Sequence, residues 1–388
     1  MKKVLVLGCS HAEVPIVQAL QDRGAYVGVL GADPDGLAFA WADAAYVADY
    51  SNHQAVRPIV EEHQYDSVVA GCNDFAAFTR AHLGVALVRS SLDSISQTEV
   101  VHLKDKFREL CIAEGVPTPR AVTAPDSGQF EQLRFPVIVK PTDLSGGKGM
   151  SVCLSPSEID GAVTEARRRS RRTSIVIEEF LDGQLRSASY WLIEGVPHLV
   201  THADEFMYLN PYLVSAAISP SSATNEMLTS VQVAIENLCC AVGLREGLVH
   251  VQYIATGTSF SILEICRRPP GDLYIKLPTL FGDTSLSDLI ASQALGLHIR
   301  LPAQPTEIRP TLRLCLMAPR NGETAFWQIS APFRAITEDL FPLMPTQVVI
   351  SDHLTQKLGI AFASSPDQSA LVNFATRPND ALEITYLT

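Results

Sequence analysis

Lys140 and the glycine-rich segment that follows it form the part of the sequence best suited to bind phosphate. Residues 135–150 read FPVIVKPTDLSGGKGM, and the apolar run before Lys140 predicts a buried strand that holds the lysine at its end. Glycine has no Cβ, so the backbone of the loop could approach phosphate oxygens closely. The candidate loop comprises Ser145, Gly146, Gly147, Lys148, Gly149 and Met150. Its order differs from the G-x-x-x-x-G-K-S/T of a P-loop, which leaves a phosphate loop of another kind or a surface hairpin with a glycine turn.

A second group of polar residues lies in a predicted β-hairpin. Val249–Ile254 and Phe260–Ile265 have the composition of strands, and the short connection between them predicts antiparallel pairing. In that hairpin Gln252 would stand nearly opposite Glu264 on a polar face. A carboxylate and an amide side by side, with Arg268 shortly after them, could present a metal ion and a cation to one anionic ligand. An ordinary surface hairpin is the alternative.

The composition indicates a multidomain globular protein that acts on small molecules. The chain has 388 residues, 47% of them hydrophobic, which is enough for two or three domains with a substantial core. The net charge of -12 argues against a nucleic-acid or anionic-membrane partner, because both require broad positive surfaces. The cysteines are scattered without a C-x-x-C pair, and no apolar run approaches the roughly 18 residues of a membrane span. We therefore expect a soluble, cytoplasmic protein.

Strands and helices must hold these chemical groups in place. The pattern of apolar residues in the N-terminal region predicts a parallel α/β unit. Apolar strands alternate with an amphipathic helix, which predicts right-handed crossovers between parallel strands. The turn after the first strand lacks the later glycines of G-x-G-x-x-G, so a dinucleotide site is not favoured. The predicted elements are strand Val4–Leu7, helix Val14–Leu20, and strands Tyr26–Leu30, Val68–Ala70 and Ala86–Val88.

Three further elements follow in the middle of the chain. Thr98–Glu114 has apolar residues at helical spacing and predicts one helix, which the segment GVPTP terminates. Ser155–Glu158 has the sequence of a capping box, and the five arginines near the end of the helix that it opens complement the helix dipole. Ile175–Ile177 predicts a short strand, and the four residues EEFL follow it.

In chain order these segments resemble the motifs of the ATP-grasp superfamily. The segments that carry the resemblance are DKFRELCIAEGVPTP, VIVKPTDLSGGKGM, IVIEEFLDG and LEICRRPPGD. Within the superfamily the chain looks most similar to carboxylate-amine ligases of the L-amino-acid ligase type. The resemblance implies an α/β fold, with α+β character in the grasp region. It also implies a pre-ATP-grasp parallel α/β domain at 1–97, an ATP-grasp domain at 98–309 with a mobile lid near 117–185, and a small C-terminal α/β domain at 310–388.

The resemblance assigns nucleotide-binding roles to individual residues. Lys106 and Lys140 match the two lysines that contact ATP phosphates in the superfamily. The loop from Ser145 to Met150 matches the mobile loop that closes over the nucleotide. The hinge that recognises the adenine corresponds to Glu178, Glu179, Phe180 and Leu181, with Glu178 accepting a hydrogen bond from the adenine amino group.

The resemblance also implies a metal site and a catalytic arginine. Glu264 matches the metal-binding glutamate, and Arg268 matches the arginine that holds the acyl phosphate or the substrate carboxylate. Gln252 stands where a second metal-ligating acid is usual, Cys266 replaces a frequent asparagine ligand, and Leu185 replaces a ribose-binding glutamate. With Gln252 the site has one formal charge fewer and could hold Mg²⁺ more weakly. The implied cofactors are ATP and Mg²⁺.

The resemblance implies an ADP-forming ligase that activates a carboxylate as an acyl phosphate and joins it to an amine. Its expected partners are small-molecule carboxylate and amine substrates, with amino acids as the expected class, and a second copy of the chain in a homodimer. Two alternatives remain. One is a nucleotide-binding regulatory subunit with impaired catalysis, and the other is a purine-pathway or carboxylating ligase of the same superfamily.

Overall fold

The structure is a computed structural model, and it describes residues 1–84, 93–123, 129–144, 146–282, 284–301 and 308–387. The strands in these ranges are β1 Lys3–Leu7, β2 Tyr26–Gly31, β3 Ala44–Val47, β4 Ser67–Ala70, β5 Ala121–Val122, β6 Val137–Pro141, β7 Ser151–Cys153, β8 Ile175–Glu179, β9 Gln184–Ile193, β10 Val196–Met207, β11 Val214–Ser219, β12 Gly247–Thr256, β13 Ser259–Cys266, β14 Thr311–Leu316, β15 Gly322–Ile329, β16 Thr337–Pro342, β17 Val349–Ile350, β18 Gly359–Ser364 and β19 Leu382–Tyr386. The α-helices are α1 Val14–Gln21, α2 His53–Glu62, α3 Asp74–Leu83, α4 Ile95–His102, α5 Lys104–Ala113, α6 Ile159–Arg169, α7 Asn225–Val242, α8 Leu286–Ala294, α9 Ala331–Arg334 and α10 Gln368–Thr376. None of these described helices has the length and apolar character needed to cross a membrane.

The chain divides into two compact units, and neither is continuous in sequence. The first unit consists of Met1–Val47, Val200–Ser222 and Pro270–Thr388, and the second of Ala48–Leu199 and Ala223–Pro269. The domain boundaries that the sequence resemblance implies, at residues 97 and 309, stay predictions.

The first unit contains both parallel and antiparallel strands. β1 pairs in parallel with β2, and β2 pairs in parallel with β3, so the predicted parallel arrangement of the first two strands is confirmed. The other strands of this unit are antiparallel, with β11, β14, β18 and β16 as successive neighbours. Their core includes Leu312, Leu314 and Ala361 from the sheet and Phe333 from α9, all fully buried. The unit therefore has mixed α/β architecture.

One sheet of the second unit packs against the long helix α7. β12 lies between β9 and β13 and pairs antiparallel with both. The inward side chains of this sheet, among them Tyr190 and Val251, form one cluster with Val231 and Ile235 of α7. Helix α7 begins at an N-cap threonine whose side chain accepts from a backbone N–H, and it ends at Gly243, which adopts the left-handed conformation that favours glycine.

The other sheet of the second unit has the strand order β5-β8-β6-β7 and is covered by α6. Val137 and Val139 of β6 and Ile177 of β8 point into the core beneath the helix. Because side chains alternate along a strand, Lys140 of β6 and Glu178 of β8 lie on the opposite face. The apolar, β-branched composition of both strands fits this two-sided burial.

The predicted elements agree with the structure in their positions, with three exceptions. The single helix predicted at Thr98–Glu114 is wrong: two helices, α4 and α5, meet at Leu103, which has an extended backbone, and the N–H of Lys104 donates to the carbonyl of Thr142. The capping box at Ser155 does not form as predicted, because Ser155 Oγ bonds the Glu158 side chain and caps no backbone N–H. The predicted strand Ala86–Val88 lies outside the described residues.

Candidate active site

Lys140 lies in an ion-paired group at the centre of the β5-β8-β6-β7 sheet. Its Nζ donates to Glu178 Oε2 at 2.7 Å, and Arg108 Nε of α5 lies 2.8 Å from Glu178 Oε1. The Glu178 side chain is fully buried between these two cations. Burial alone would raise the pKa of this carboxyl, but the charges of Arg108 and Lys140 outweigh it and lower the pKa to about 2. Glu178 is therefore ionised at neutral pH and holds Lys140 against the sheet.

The glycine loop follows Lys140 and is anchored at its base by Asp143. The Asp143 carboxylate accepts from Ser170 Oγ at 2.7 Å and from the backbone N–H groups of Arg171 and Arg172, just beyond α6. Gly146, Gly147 and Gly149 all have φ between 66° and 74°, a region that other residues rarely adopt. Lys148 is exposed within the loop and Met150 is half-buried at its end, whereas the predicted loop residue Ser145 lies outside the described residues. The loop thus has the backbone freedom expected of a phosphate-binding segment.

The predicted hinge is the end of β8 and the two residues after it. The N–H groups of Glu179 and Phe180 donate to the carbonyls of Arg120 and Pro136, while the N–H of Leu181 has no acceptor within the described part of the chain. The Glu179 carboxylate binds the Arg134 side chain at 2.9 Å. Among the hinge N–H groups, that of Leu181 is therefore the one open to a ligand such as the edge of a base.

The predicted hairpin forms, and Gln252 lies opposite Glu264, where the sequence placed the two residues nearly opposite. Gln252 pairs with Glu264, and the strands turn between Thr256 and Ser259, as the sequence indicated. A β-bulge follows at Leu263, so Ile262 takes the core position that the simple alternation would give to Leu263. The freed carbonyl of Leu263 accepts from Arg108 Nη2 at 2.6 Å. Gln252 and Glu264 thus stand side by side, with Glu264 more than a third exposed.

The two arginines after the hairpin lie in different surroundings. Arg267 is buried and forms a two-point contact with Asp93, at 2.8 and 3.0 Å, while also donating to the carbonyl of Leu248. Arg268 instead donates through Nε to Asp74 Oδ1 at 2.8 Å. Burial alone would lower the pKa of Arg268, but the Asp74 carboxylate outweighs it and raises the pKa above its usual range. Arg268 is the arginine that reaches a cleft.

That cleft lies beside the hairpin and gathers charged groups of both signs. Lys104, the first residue of α5, is nearly buried there, with Nζ 2.7 Å from the carbonyl oxygen of Leu144 and 3.8 Å from Glu264 Oε2. The amino group of Lys104 thus joins the base of the glycine loop to the predicted metal ligand. The residues lining the cleft are Asp74, Val101, His102, Lys104, Phe107, Glu264, Ile265, Cys266 and Arg268.

Lys106, the phosphate-contacting lysine predicted from the DKF motif, is not among the residues that line this cleft. Its Nζ lies 2.6 Å from Glu99 Oε2, and its side chain is 40% exposed. Lys104 could have been found from the sequence, because it shares a helix face with Phe107 and Cys111 at i, i+3 and i+7. Lys106 lies off that face.

Asp74 and His102 also line the cleft, although neither belongs to a motif of the sequence. Asp74 is in the first turn of α3, four residues after the last residue of β4, and His102 is the last residue of α4. The position of Asp74 just beyond a buried strand was a usable signal, since ligands often bind at the carboxyl ends of strands. His102 carried no comparable signal because its partners come from distant parts of the chain.

The donor set fits Mg²⁺ together with a nucleotide rather than a metal ion alone. Within the described ranges, no group of three or more His, Cys, Asp or Glu side chains is arranged to hold a metal ion. Mg²⁺ often takes one or two carboxylates and completes its shell with water and substrate phosphates. Glu264 offers such a carboxylate beside Gln252, and Lys104 and Lys140 offer cations for the phosphates.

Comparison with known proteins identifies the fold. Residues 104–193 match the family described as "Carbamoyl-phosphate synthase L chain, ATP binding domain". This matched segment includes Lys104, Lys140, the glycine loop and the hinge.

Among curated proteins, the chain is similar to the formate-dependent phosphoribosylglycinamide formyltransferase of Prochlorococcus marinus (strain MIT 9313). The two are 24% identical over an alignment 406 residues long, which covers 99% of this chain and 98% of the relative.

Two solved structures illustrate the likeness of the fold. The L-amino acid ligase from Bacillus licheniformis superposes with a TM-score of 0.83 at 17% identity, covering 100% of this chain and 99% of that chain. The biotin carboxylase domain of the Hydrogenobacter thermophilus 2-oxoglutarate carboxylase, solved with MgADP, ADP and bicarbonate, gives a TM-score of 0.79 at 16% identity, with coverage of 100% and 91%.

The chain has the fold of the ATP-grasp superfamily. The predicted ATP-grasp fold, with its mixed parallel and antiparallel sheets, is confirmed. The prediction of ATP with Mg²⁺ as cofactors agrees with the matched ATP-binding domain and with the MgADP in the carboxylase structure.

Proposed function

We propose that this protein is an ATP-dependent, ADP-forming ligase that activates a carboxylate as an acyl phosphate and joins it to an amine. The observation that carries the proposal is one cleft in which Glu264, Lys104 and Arg268 meet beside the glycine loop. These groups are a metal ligand, a cation for phosphate and a cation for a second anion. Together they provide what phosphoryl transfer to a carboxylate requires, which is positioning and neutralisation of charge.

In the proposed complex the nucleotide lies between the β5-β8-β6-β7 sheet and the hairpin. Lys140 and Lys104 neutralise the phosphates, and the glycine loop covers them with backbone N–H groups. The N–H of Leu181 binds the edge of the adenine, as the open donor of the hinge. Glu264 would hold Mg²⁺, with Gln252 beside it as a neutral ligand, and the bound ion would screen the charge between ATP and the incoming carboxylate.

The chemistry proceeds in two steps at this site. The carboxylate oxygen attacks the γ-phosphorus of ATP, the bond to the β-phosphate oxygen breaks, and ADP leaves with that electron pair. The amine then attacks the acyl carbon, loses a proton, and phosphate departs as the C–N bond forms. Arg268 stabilises the oxyanion of the tetrahedral intermediate, and the closed glycine loop keeps water from the acyl phosphate.

Amino acids are the proposed substrate class, and the likeness to an L-amino acid ligase over the whole chain supports them. A second candidate is a purine-pathway ligase. A curated formate-dependent phosphoribosylglycinamide formyltransferase matches 99% of the chain and supports that alternative, in which formate is the carboxylate and phosphoribosylglycinamide supplies the amine. Both candidates use the same two-step chemistry, so the site can serve either pair.

The proposal is tested by measuring how much ADP the purified protein forms from added ATP. ATP and Mg²⁺ are supplied with paired amino acids, with formate and phosphoribosylglycinamide, or with bicarbonate alone. ADP release that requires both a carboxylate and an amine supports the ligase. ATP consumption with bicarbonate and no amine would instead indicate a carboxylating enzyme. Calorimetric ATP binding without turnover across the panel would favour the regulatory subunit.

Glu264→Ala tests the metal assignment in the same assay. The variant should lose carboxylate-dependent ADP release, because the proposed site then has no carboxylate for Mg²⁺. Unchanged turnover in Glu264→Ala would contradict the metal assignment. The proposed homodimer is tested separately by sedimentation of the same preparation.

A further inference from the structure

A buried series of contacts leads from α3 and α4 to Arg268. Asp74 Oδ1 accepts from Arg268 Nε at 2.8 Å and lies 3.1 Å from His102 Nδ1. The other ring nitrogen, His102 Nε2, lies 3.2 Å from the backbone nitrogen of Arg267. A backbone N–H can only donate, so Nε2 accepts and the imidazole proton lies on Nδ1, where it is donated to Asp74.

Both residues of this series are held by their own elements. His102 is almost completely buried, and its ring packs against Phe78 at a centroid distance of 5.8 Å. Asp74 follows the N-cap Asn73, whose side chain accepts from the N–H of Phe75 at 2.9 Å. The backbone of Asp74 is thus held at the start of α3, and its Oδ1 is bound by the imidazole of His102 and the guanidinium of Arg268.

The same contacts leave one face of the Arg268 guanidinium available. Nε is bound to Asp74, and Nη1 donates to the carbonyl of Pro269 at 3.1 Å. Nη2 has no hydrogen-bond partner within the described residues, and Arg268 lines the cleft that also contains Glu264 and Lys104. A long arginine side chain would otherwise sample many rotamers, so a bond to Nε selects which edge faces the cleft.

We propose that Asp74 and His102 are positioning residues that orient Arg268 so that Nη2 faces the anion bound in the cleft. This inference rests on the proposed ligase function and assigns its arginine two supporting residues. His102 orients Asp74, Asp74 orients Arg268, and neither needs to contact the substrate. The arrangement resembles other sites in which supporting hydrogen bonds pre-organise a charged group before chemistry begins.

A double-mutant cycle tests whether Asp74 acts through Arg268 or independently of it. Asp74→Asn should lower kcat roughly 10- to 100-fold through misplacement of Arg268, while the KM for ATP stays within about twofold. In an Arg268→Gln background the same Asp74→Asn change should have no further effect on kcat. Multiplicative effects of the two substitutions would overturn the proposal.

Two further variants act as controls in the same assay. Asp160→Asn removes an aspartate from the first turn of α6, as Asp74→Asn does from the first turn of α3, but Asp160 is exposed, so kcat should not change. His102→Asn keeps a donor near the place of Nδ1, whereas His102→Phe does not, and both lose the acceptor for Arg267. His102→Asn should therefore retain more kcat, and equal losses would show that only packing matters.

Crystal structures of the wild-type protein and of Asp74→Asn test the proposal without any activity. The guanidinium of Arg268 should leave the cleft or change the edge that faces it in the variant. An unchanged guanidinium would overturn the positioning role even if the ligase function is correct. Conversely, a displaced guanidinium in a protein without ligase turnover would support the positioning role while the proposed function fails.

Discussion

Lys140 Nζ donates a hydrogen bond to Glu178 Oε2 at 2.7 Å, across two adjacent antiparallel strands. Ile138 stands opposite Glu178 in the register, so Lys140 lies two residues farther along the same face. This diagonal placement lets the long lysine side chain reach the carboxylate while its backbone stays in the ladder. Glu178 therefore does more than mark the hinge, because it orients the lysine expected to bind phosphate.

Replacement of Glu178 by glutamine should change how stability depends on pH. The folded-state pKa of Glu178 is lowered from 4.5 to about 2, so its stabilisation is fully present above about 4.5 and is lost as the pH falls through about 2. The shift corresponds to about 3 kcal/mol in the free energy of unfolding. Urea unfolding of both proteins should show their difference shrinking across this window. A difference that stays constant from neutral pH to pH 2 would contradict the ion-pair explanation.

Glu165→Gln is the matched control for the Glu178 experiment. Hydrogen bonds from Arg168 and Arg169 also lower the pKa of Glu165 to about 2, but the Glu165 side chain is 40% exposed on α6. Solvent and salt screen exposed pairs, so this substitution should change the free energy of unfolding very little at any pH. The contrast isolates burial as the source of the Glu178 effect.

Lys104 and Lys106 form a pair of variants that differ by two positions on one helix. Lys104→Met should lower kcat/KM for ATP by roughly 100-fold or more, because removing one charged donor from such a site typically has that effect. Lys106→Met should change it less than about threefold, since Lys106 pairs with Glu99 away from the cleft. Steady-state ADP release checks both values, with thermal unfolding to confirm the fold. If Lys106→Met lowered kcat/KM more than Lys104→Met, the lysine that contacts the phosphates would be Lys106, as the DKF motif predicts.

Some features of the candidate site could be predicted from the sequence, and others could not. The turn and the antiparallel pairing next to it were predictable, although a two-residue turn with regular pairing puts Gln252 opposite Leu263 rather than Glu264. The bulge at Leu263 was not, since its carbonyl is bound by Arg108, which is 155 residues away in sequence. The same reason explains why motif reading missed His102, whose partners are set by packing between distant segments.

At the proposed site, the strength of Mg²⁺ binding should depend on the residue opposite Glu264. Gln252→Glu would place a second carboxylate beside the first and should lower the Mg²⁺ concentration for half-maximal ADP release, because ligand charge increases the affinity for hard cations. Gln252→Ala should raise that concentration. Titration of Mg²⁺ at fixed ATP measures both changes. If Gln252→Glu requires more Mg²⁺ than the wild-type protein, Gln252 does not face the metal.

Arg267 and Arg268 are adjacent, but their substitutions should have different effects. Replacing Arg267 should lower the free energy of unfolding, whereas replacing Arg268 should lower kcat. Arg267 and Asp93 form a buried pair, so Arg267→Met leaves a buried carboxylate and should lower the free energy of unfolding by about 3 to 5 kcal/mol. Replacing both partners, in Arg267→Met with Asp93→Leu, removes the uncompensated charge and should restore much of the loss. Arg268→Gln should instead lower kcat. Urea unfolding and ADP release on the same samples provide the comparison, and a double variant no more stable than Arg267→Met would show that the pair is not the source of the loss.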